Sequence, residues 1–266
     1  MPRRIAISAL FLDFDGTISP IDVPREKAQP TPLVQEALRT IARAIPIAVV
    51  TTKDLQFIQK RIPFASAWAA IGGAETKIGS RIVTLPQATG DSSSIEALLE
   101  CIEPKTKQLN RGVHIEKKAL SDGRVVAFCV DWRRARDWET VRRQVEALLE
   151  KCKKESYMIL NYAGRPYLDV YPRSVDKGKA FLTIKTGLKL NGPIMYLGDS
   201  ELDNPAFKLA EISIGVLHSE TYPKLDCDFF VRFSYVGAFL QELLDNRLIF
   251  DPDSEWVMRS GLVAAG

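Results

Sequence analysis

The chain is poor in the residues that build nitrogen- and sulfur-liganded metal sites. It has two histidines, His114 and His218, and four cysteines, Cys101, Cys129, Cys152 and Cys227. The cysteines are widely scattered and form no C-x-x-C pair, so the ligand spacing of a zinc site is missing. Nothing in that scatter demands a disulfide, which fits a reducing, cytoplasmic compartment. Charge of one sign is also lacking. The 36 Lys and Arg against 33 Asp and Glu leave a net +3, too little to argue for a nucleic-acid partner. The basic clusters Arg133-Arg134 with Arg136, and Lys151 with Lys153-Lys154, read as solvated helix faces. No apolar run approaches the length of a membrane span, so no membrane partner is expected. The opening Met1-Pro2-Arg3-Arg4 and its apolar sequel imitate a signal peptide. That run is short and ends in two aspartates with no small-residue cleavage site, which excludes the reading. Repeats and low-complexity segments are absent too. What remains is ordinary globular material, expected as a monomer or small homo-oligomer.

Hydrophobic residues make up 46% of 266 positions, enough for one large domain or two modest ones. The informative stretch is Asp13-Phe14-Asp15-Gly16-Thr17, directly after the apolar run 5–12. That run reads as a buried strand. Two carboxylates then stand one residue apart at a strand exit, where open α/β sheets bind ligands. Bare carboxylates there repel each other and resist desolvation. A hard, oxygen-liganded cation such as Mg²⁺ removes the conflict. Gly16 permits a sharp turn, and Thr17 offers a hydroxyl and an N–H to a phosphate. The plain alternative is a solvated acidic loop.

Two more strand ends and one helix start carry polar groups. Ile47-Ala48-Val49-Val50 leads into Thr51-Thr52-Lys53-Asp54, Asp176-Lys177-Gly178-Lys179 opens a helix, and 193–197 leads into Gly198-Asp199-Ser200-Glu201-Leu202-Asp203. Each has a bland reading: a helix cap at Thr52, a surface lysine at a helix end, an acidic loop at Asp199 and Asp203. Together and in this order they resemble the four motifs of the haloacid dehalogenase superfamily.

That resemblance implies a fold and a chemistry. The first Asp of DFDGT, Asp13, would attack phosphorus and form an aspartyl-phosphate. The second, Asp15, would protonate the leaving oxygen and then activate water. Thr51, with Thr52 beside it, and Lys177 would bind the phosphate. Asp13, Asp15, Asp199 and Asp203 would hold Mg²⁺, Asp203 directly or through water. Lys179 points elsewhere on its helix and reads as solvated.

Between the second and third motifs the texture changes. Residues 75–84 read as a hairpin about Gly79-Ser80, 87–94 as a polar loop, and Ser94 as the cap of a helix. Hairpins at 113–131 and 157–171 flank a helix capped by Asp137, the second hairpin turning at Ala163-Gly164-Arg165. Hairpins and helices without βαβ order describe an α+β unit. The expected architecture is therefore α/β: a Rossmann-like, doubly wound parallel-sheet core at 1–74 and 173–266, with an α+β cap inserted at 75–172.

Within the superfamily the chain is most similar to trehalose-6-phosphate phosphatases. The similarity lies in Asp131-Trp132-Arg133, in Leu168-Asp169-Val170-Tyr171-Pro172 before Asp176-Lys177-Gly178, and in Ala206-Phe207 after the fourth motif. It implies a phosphoric monoester hydrolase acting on a phosphorylated sugar, with Glu75, Arg133 and Asp169 reading the sugar or its phosphate. The wording GDSELDN departs from the GDDxTDE of that family. With TTK and DKGKA it also suits mannosyl-3-phosphoglycerate and sucrose-phosphate phosphatases, and phosphoglycolate phosphatase is a further alternative. A catalytically silent sugar-phosphate-binding regulator is the alternative from another class. Arg133 and Asp169 also admit a plain reading, an exposed ion pair with each other.

Overall fold

The computed structural model describes residues 4–21, 23–90, 92–109, 111–152, 157–162, 165–218 and 224–260. The chain divides into two compact units, residues 1–83 with 176–266, and residues 84–175.

The first unit begins with β1 (Ile5–Ala6), β2 (Ala9–Leu12), α1 (Pro32–Ile41), β3 (Ile47–Val50), α2 (Leu55–Arg61), β4 (Ala67–Ala70), β5 (Glu75–Ile78) and β6 (Arg81–Thr84). The second unit holds α3 (Pro86–Gly90), α4 (Ser92–Leu109), β7 (His114–Ala119), β8 (Val125–Asp131), α5 (Trp138–Cys152), β9 (Tyr157–Asn161) and β10 (Tyr167–Pro172). The first unit then resumes with α6 (Lys177–Gly187), β11 (Ile194–Gly198), α7 (Asn204–Phe207), β12 (Ile212–Leu217), β13 (Phe229–Arg232), α8 (Val236–Asp245), β14 (Ile249–Phe250) and β15 (Val257–Arg259).

The main sheet runs β15-β13-β12-β11-β2-β3-β4-β5-β6. Its middle pairs, from β13 to β4, are parallel. Strands β2, β3, β4, β11 and β12 are buried at every residue, as a parallel sheet covered on both faces requires. On one side Phe11 meets Phe181 of α6, and Tyr196 meets Phe207 of α7. The chain winds outward from β2 in both directions, so the carboxyl ends of β2, β3 and β11 border the crevice where such sheets bind ligands.

The apolar run 5–12 forms two strands rather than one. Ser8 turns aside, its N–H and Oγ both donating to the carbonyl of Pro193. Before it, β1 pairs with β14, and after it β2 enters the sheet.

The hairpin 75–84 is placed differently from its expected position in the inserted unit. β5 runs antiparallel to β4, with Glu75 opposite Ala70, so the hairpin extends the core sheet. Gly72 and Gly73 make the reversal with φ of 62° and 102°, values that glycine adopts without steric cost. The units therefore part at 83/84, after the hairpin, and at 175/176.

The second unit is a four-stranded antiparallel sheet, β7-β8-β10-β9, with helices on one face. Ile95 and Leu99 of α4 and Val145 and Leu149 of α5 pack with Phe128, Val130, Leu168 and Val170. Asp137 caps α5, accepting from the N–H of Thr140. The stretch 87–94 holds α3 where a loop was expected. Of the turn at 163–165, residues 163 and 164 lie outside the described ones.

The cysteine expectation needs correction. Cys101 on α4 and Cys152 at the end of α5 are joined in a disulfide. They stand 51 residues apart in sequence, and the packing of the two helices in one core brings them together. Cysteine scatter therefore gives no argument for a reducing compartment. No helix among the described residues is long and apolar enough to cross a membrane.

Candidate active site

The site is built on the ends of three adjacent strands and one helix. Asp13 follows β2 and donates its N–H to the carbonyl of Leu197 on β11. The turn after it closes on one atom: the carbonyl of Phe14 accepts from the N–H groups of Thr17, Ile18 and Ser19. The Phe14 ring is fully buried and lies edge-on to Phe57 of α2, 5.7 Å between centroids. The two aspartates are thus held on either side of an aromatic anchor. Gly16 has φ of 77°, and a Cβ there would lie 2.0 Å from Oδ2 of Asp199. Only glycine lets the turn approach Asp199 this closely. The hydroxyls of Thr17 and Ser19 are buried with no partner, which leaves them available to an anion.

Thr51 follows β3. Its N–H donates to Ala69, and its Oγ1 accepts from the N–H of Lys53. The cap of α2 is Asp54, which accepts from Phe57 at 2.8 Å, so Thr52 does not take that role. Lys53 reaches the second aspartate: its Nζ lies 3.4 Å from Oδ2 of Asp15.

Lys177 is the first residue of α6, buried, after the N-cap Asp176. Its Nζ donates to Oδ1 of Asp203 at 2.7 Å and lies 3.1 Å from Oδ1 of Asp13. Lys179, two residues on, is exposed. Asp203 is fully buried and engaged at both oxygens. Oδ1 also accepts from Tyr196 at 2.6 Å, and Oδ2 accepts from the N–H and Oγ of Ser200.

Asp13, Asp199 and Asp203 place one carboxylate oxygen each within 4.8 Å of one another. Burial pushes Asp13 up to about 7, because desolvation and its acidic neighbours outweigh Lys177. Asp199 is raised well above the carboxylate range, by burial first and by Asp13 and Asp203 next. Burial opposes the charge on Lys177, but Asp13 and Asp203 override it and hold the amine above its usual range. Three buried carboxyl groups beside one ammonium cannot all ionise without a further positive charge. A hard divalent cation on oxygen ligands fits both the charge and the donor set. Such an arrangement can hold a metal, present one carboxylate as a nucleophile and place a lysine beside an incoming anion.

The chain has relatives among known proteins. The family model described as trehalose-phosphatase matches residues 11–219. The chain belongs to the trehalose-phosphatase family. A probable trehalose-phosphate phosphatase D from Arabidopsis thaliana is 27% identical over 255 residues, covering 89% of this chain and 67% of that protein. The chain spans half or less of the length of several other curated relatives. Among solved structures, the C-terminal domain of the C. albicans trehalose-6-phosphate phosphatase superposes with a TM-score of 0.74 at 19% identity, covering 90% of this chain and 93% of that one. A sugar phosphatase of haloacid dehalogenase subclass IIB superposes with 0.57 at 16% identity, covering 91% and 100%. The fold is that of haloacid dehalogenase phosphatases with cap domains, and its central sheet is mostly parallel.

The remaining residues named from the trehalose-phosphatase pattern have the following surroundings. Glu75 is buried at the start of β5 in the first unit. Arg133 and Asp169 lie in the second unit, and they do not pair with each other. Arg133 Nε is 2.7 Å from Oδ2 of Asp131. Asp169 is buried, accepting from Lys118 Nζ at 2.9 Å and from the Tyr162 hydroxyl at 3.0 Å. Lys118 also donates to the Tyr171 hydroxyl.

Three residues of the first-unit site escaped the motif reading. Lys53 had a signal, since it belongs to TTK itself. Tyr196 sits inside the apolar strand β11 and looks like core until Asp203 folds against it. His218 follows β12, and no local pattern marks it.

Proposed function

We propose that this chain is a Mg²⁺-dependent phosphomonoesterase that hydrolyses a phosphorylated sugar through an aspartyl-phosphate. The observation that carries the reading is the buried group of Asp13, Asp199 and Asp203 around Lys177. The family's trehalose-phosphate members make a trehalose-6-phosphate-like substrate the first to test.

In the first step a carboxylate oxygen of Asp13 forms a bond to phosphorus as the bond to the sugar oxygen breaks. Asp15 donates its proton to that leaving oxygen. In the second step Asp15 takes a proton from water, whose oxygen attacks the phosphorus. The Asp13–phosphorus bond breaks, which frees inorganic phosphate and restores the Asp13 carboxylate and the protonated Asp15. Asp13, Asp199 and the Asp15 carbonyl would hold Mg²⁺, which supplies Lewis-acid polarisation of the phosphoryl oxygens. With both oxygens engaged, Asp203 serves this reading best by holding Lys177 against Asp13, in reach of the ion through water. Lys177 balances charge, and Thr51 and Thr52 receive phosphate oxygens. Arg133, which stands partly exposed beside Asp131, is the sugar-reading candidate of the second unit, with Glu75 and Asp169 as the others of that pattern.

The test is phosphate release from a panel with and without Mg²⁺: trehalose 6-phosphate, sucrose phosphate, mannosyl-3-phosphoglycerate, phosphoglycolate and p-nitrophenyl phosphate. Turnover of a disaccharide phosphate in Mg²⁺ is expected. Arg133→Ala should lower kcat/KM for that sugar and leave the aryl phosphate nearly untouched. Sugar-phosphate binding without any turnover would favour a silent binding protein instead.

A further inference from the structure

His218 stands at the end of β12, two strands away from β2 in the sheet, with β11 between them. Its ring nevertheless reaches the nucleophile turn: Nε2 lies 2.5 Å from the carbonyl oxygen of Gly16. To do so it passes Asp199 at the end of β11, with Nε2 3.8 Å from Oδ2. A backbone carbonyl only accepts, so Nε2 carries the hydrogen in this contact. The ring is fixed from the other side by stacking on Phe233, 4.9 Å between centroids and 26° between planes. Gly16 and Asp199 are already in closest approach, since a Cβ on Gly16 would overlap the carboxylate. His218 therefore ties together the two segments whose spacing sets the position of Asp199 against the turn that bears Asp13 and Asp15.

We propose that His218 is a positioning residue, clamping the Gly16 carbonyl over Asp199 and so holding the metal-binding carboxylate and the nucleophile turn in register. Its action runs through the backbone of the turn and the place of Asp199. The proposal rests on the phosphatase reading for its kinetic consequence and on geometry alone for its effect on cation binding.

The experiment compares His218→Phe, which can keep the stacking on Phe233 but removes the donor, with His218→Gln, whose amide can place an N–H near the site of Nε2. The readouts are kcat and KM for p-nitrophenyl phosphate and Mg²⁺ binding by calorimetry. His218→Phe is expected to lower kcat and weaken Mg²⁺ binding, each by about five- to tenfold, the scale of one lost hydrogen bond in a dry site. KM and the thermal midpoint should stay close to the parent values. His218→Gln should restore both quantities to within about twofold, on the same scale. If His218→Phe fails to fold, His218→Asn replaces it, because its shorter amide cannot reach Gly16. Parent-like kcat and Mg²⁺ binding in the donorless variant overturn the proposal, and so does equal damage in His218→Gln. If the parent binds Mg²⁺ but turns over no phosphate ester, the phosphatase reading fails, while the calorimetric arm still decides the role of His218. A parent that binds no Mg²⁺ overturns the proposal.

Discussion

Asp13 should destabilise the folded protein. Asp13 is buried beside Asp199 and Asp203, and its pKa rises from 3.8 to about 7. A carboxyl whose folded-state pKa lies above its unfolded value keeps a proton that the unfolded chain has lost. Its ionisation therefore opposes folding, and stability falls as pH rises between those two values. The cost at pH 8 is about 4 kcal/mol by linkage, against about 2 kcal/mol at pH 5. Asparagine mimics the protonated form and removes the cost. In metal-free solution Asp13→Asn should therefore raise the thermal midpoint by about 5–10 °C at pH 8, and by clearly less at pH 5. Mg²⁺ should act unequally on the two proteins. It should stabilise the parent by about 2.7 kcal/mol at a hundredfold excess over its dissociation constant, and the variant by much less. Differential scanning fluorimetry in chelator, across that pH range, makes the measurement. A variant less stable than the parent at pH 8, with an unchanged pH slope, would refute the reasoning.

Asp15→Asn should slow the first step, release of the leaving group, by about 10²–10⁴-fold for sugar phosphates and far less for p-nitrophenyl phosphate, because a good leaving group needs little acid catalysis; equal slowing of that step in single-turnover assays would remove Asp15 from the acid role. Chelation should stop turnover, and Ca²⁺ should replace Mg²⁺ poorly because it favours looser, higher coordination; full activity in excess chelator counts against the metal site. Asp169→Ala should destabilise the fold by about 3–5 kcal/mol, since it leaves Lys118 buried without its partner; a parent-like melting curve would show the pair to be dispensable.

Much of the site could be read because its motifs are local. Asp13, Thr51 and Asp199 each sit at the end of a short apolar strand, and Lys177 at a capped helix start. A strand exit and the few residues after it are contiguous in sequence, so their pattern survives without any tertiary information. The same holds for the hairpins of the second unit, whose alternation and turn residues are adjacent. What depended on long-range packing could not be read. The hairpin 75–84 has the same local signature whichever unit it joins, and only its pairing with β4 assigns it to the core. Asp203 looks like a ligand in GDSELDN, yet Lys177 and Tyr196 reach it from α6 and β11. Asp169 looks like an exposed group but is neutralised by Lys118 from another strand. Cys101 and Cys152 meet only because two helices lie side by side. His218 is a lone ring after a buried strand until the sheet brings it over Gly16.

The central claim is that Asp13 carries the phosphoryl group, and trapping it tests that claim most directly. The Asp15→Asn variant loses the base that activates water, so the covalent species should accumulate after the first step. Protein incubated with Mg²⁺ and phosphate-labelled p-nitrophenyl phosphate, whose leaving group needs little acid, quenched in acid and digested, should carry label on the peptide containing Asp13. The label should be absent from Asp13→Asn. Sustained phosphate release with no labelled protein, or label on any other residue, would contradict the account.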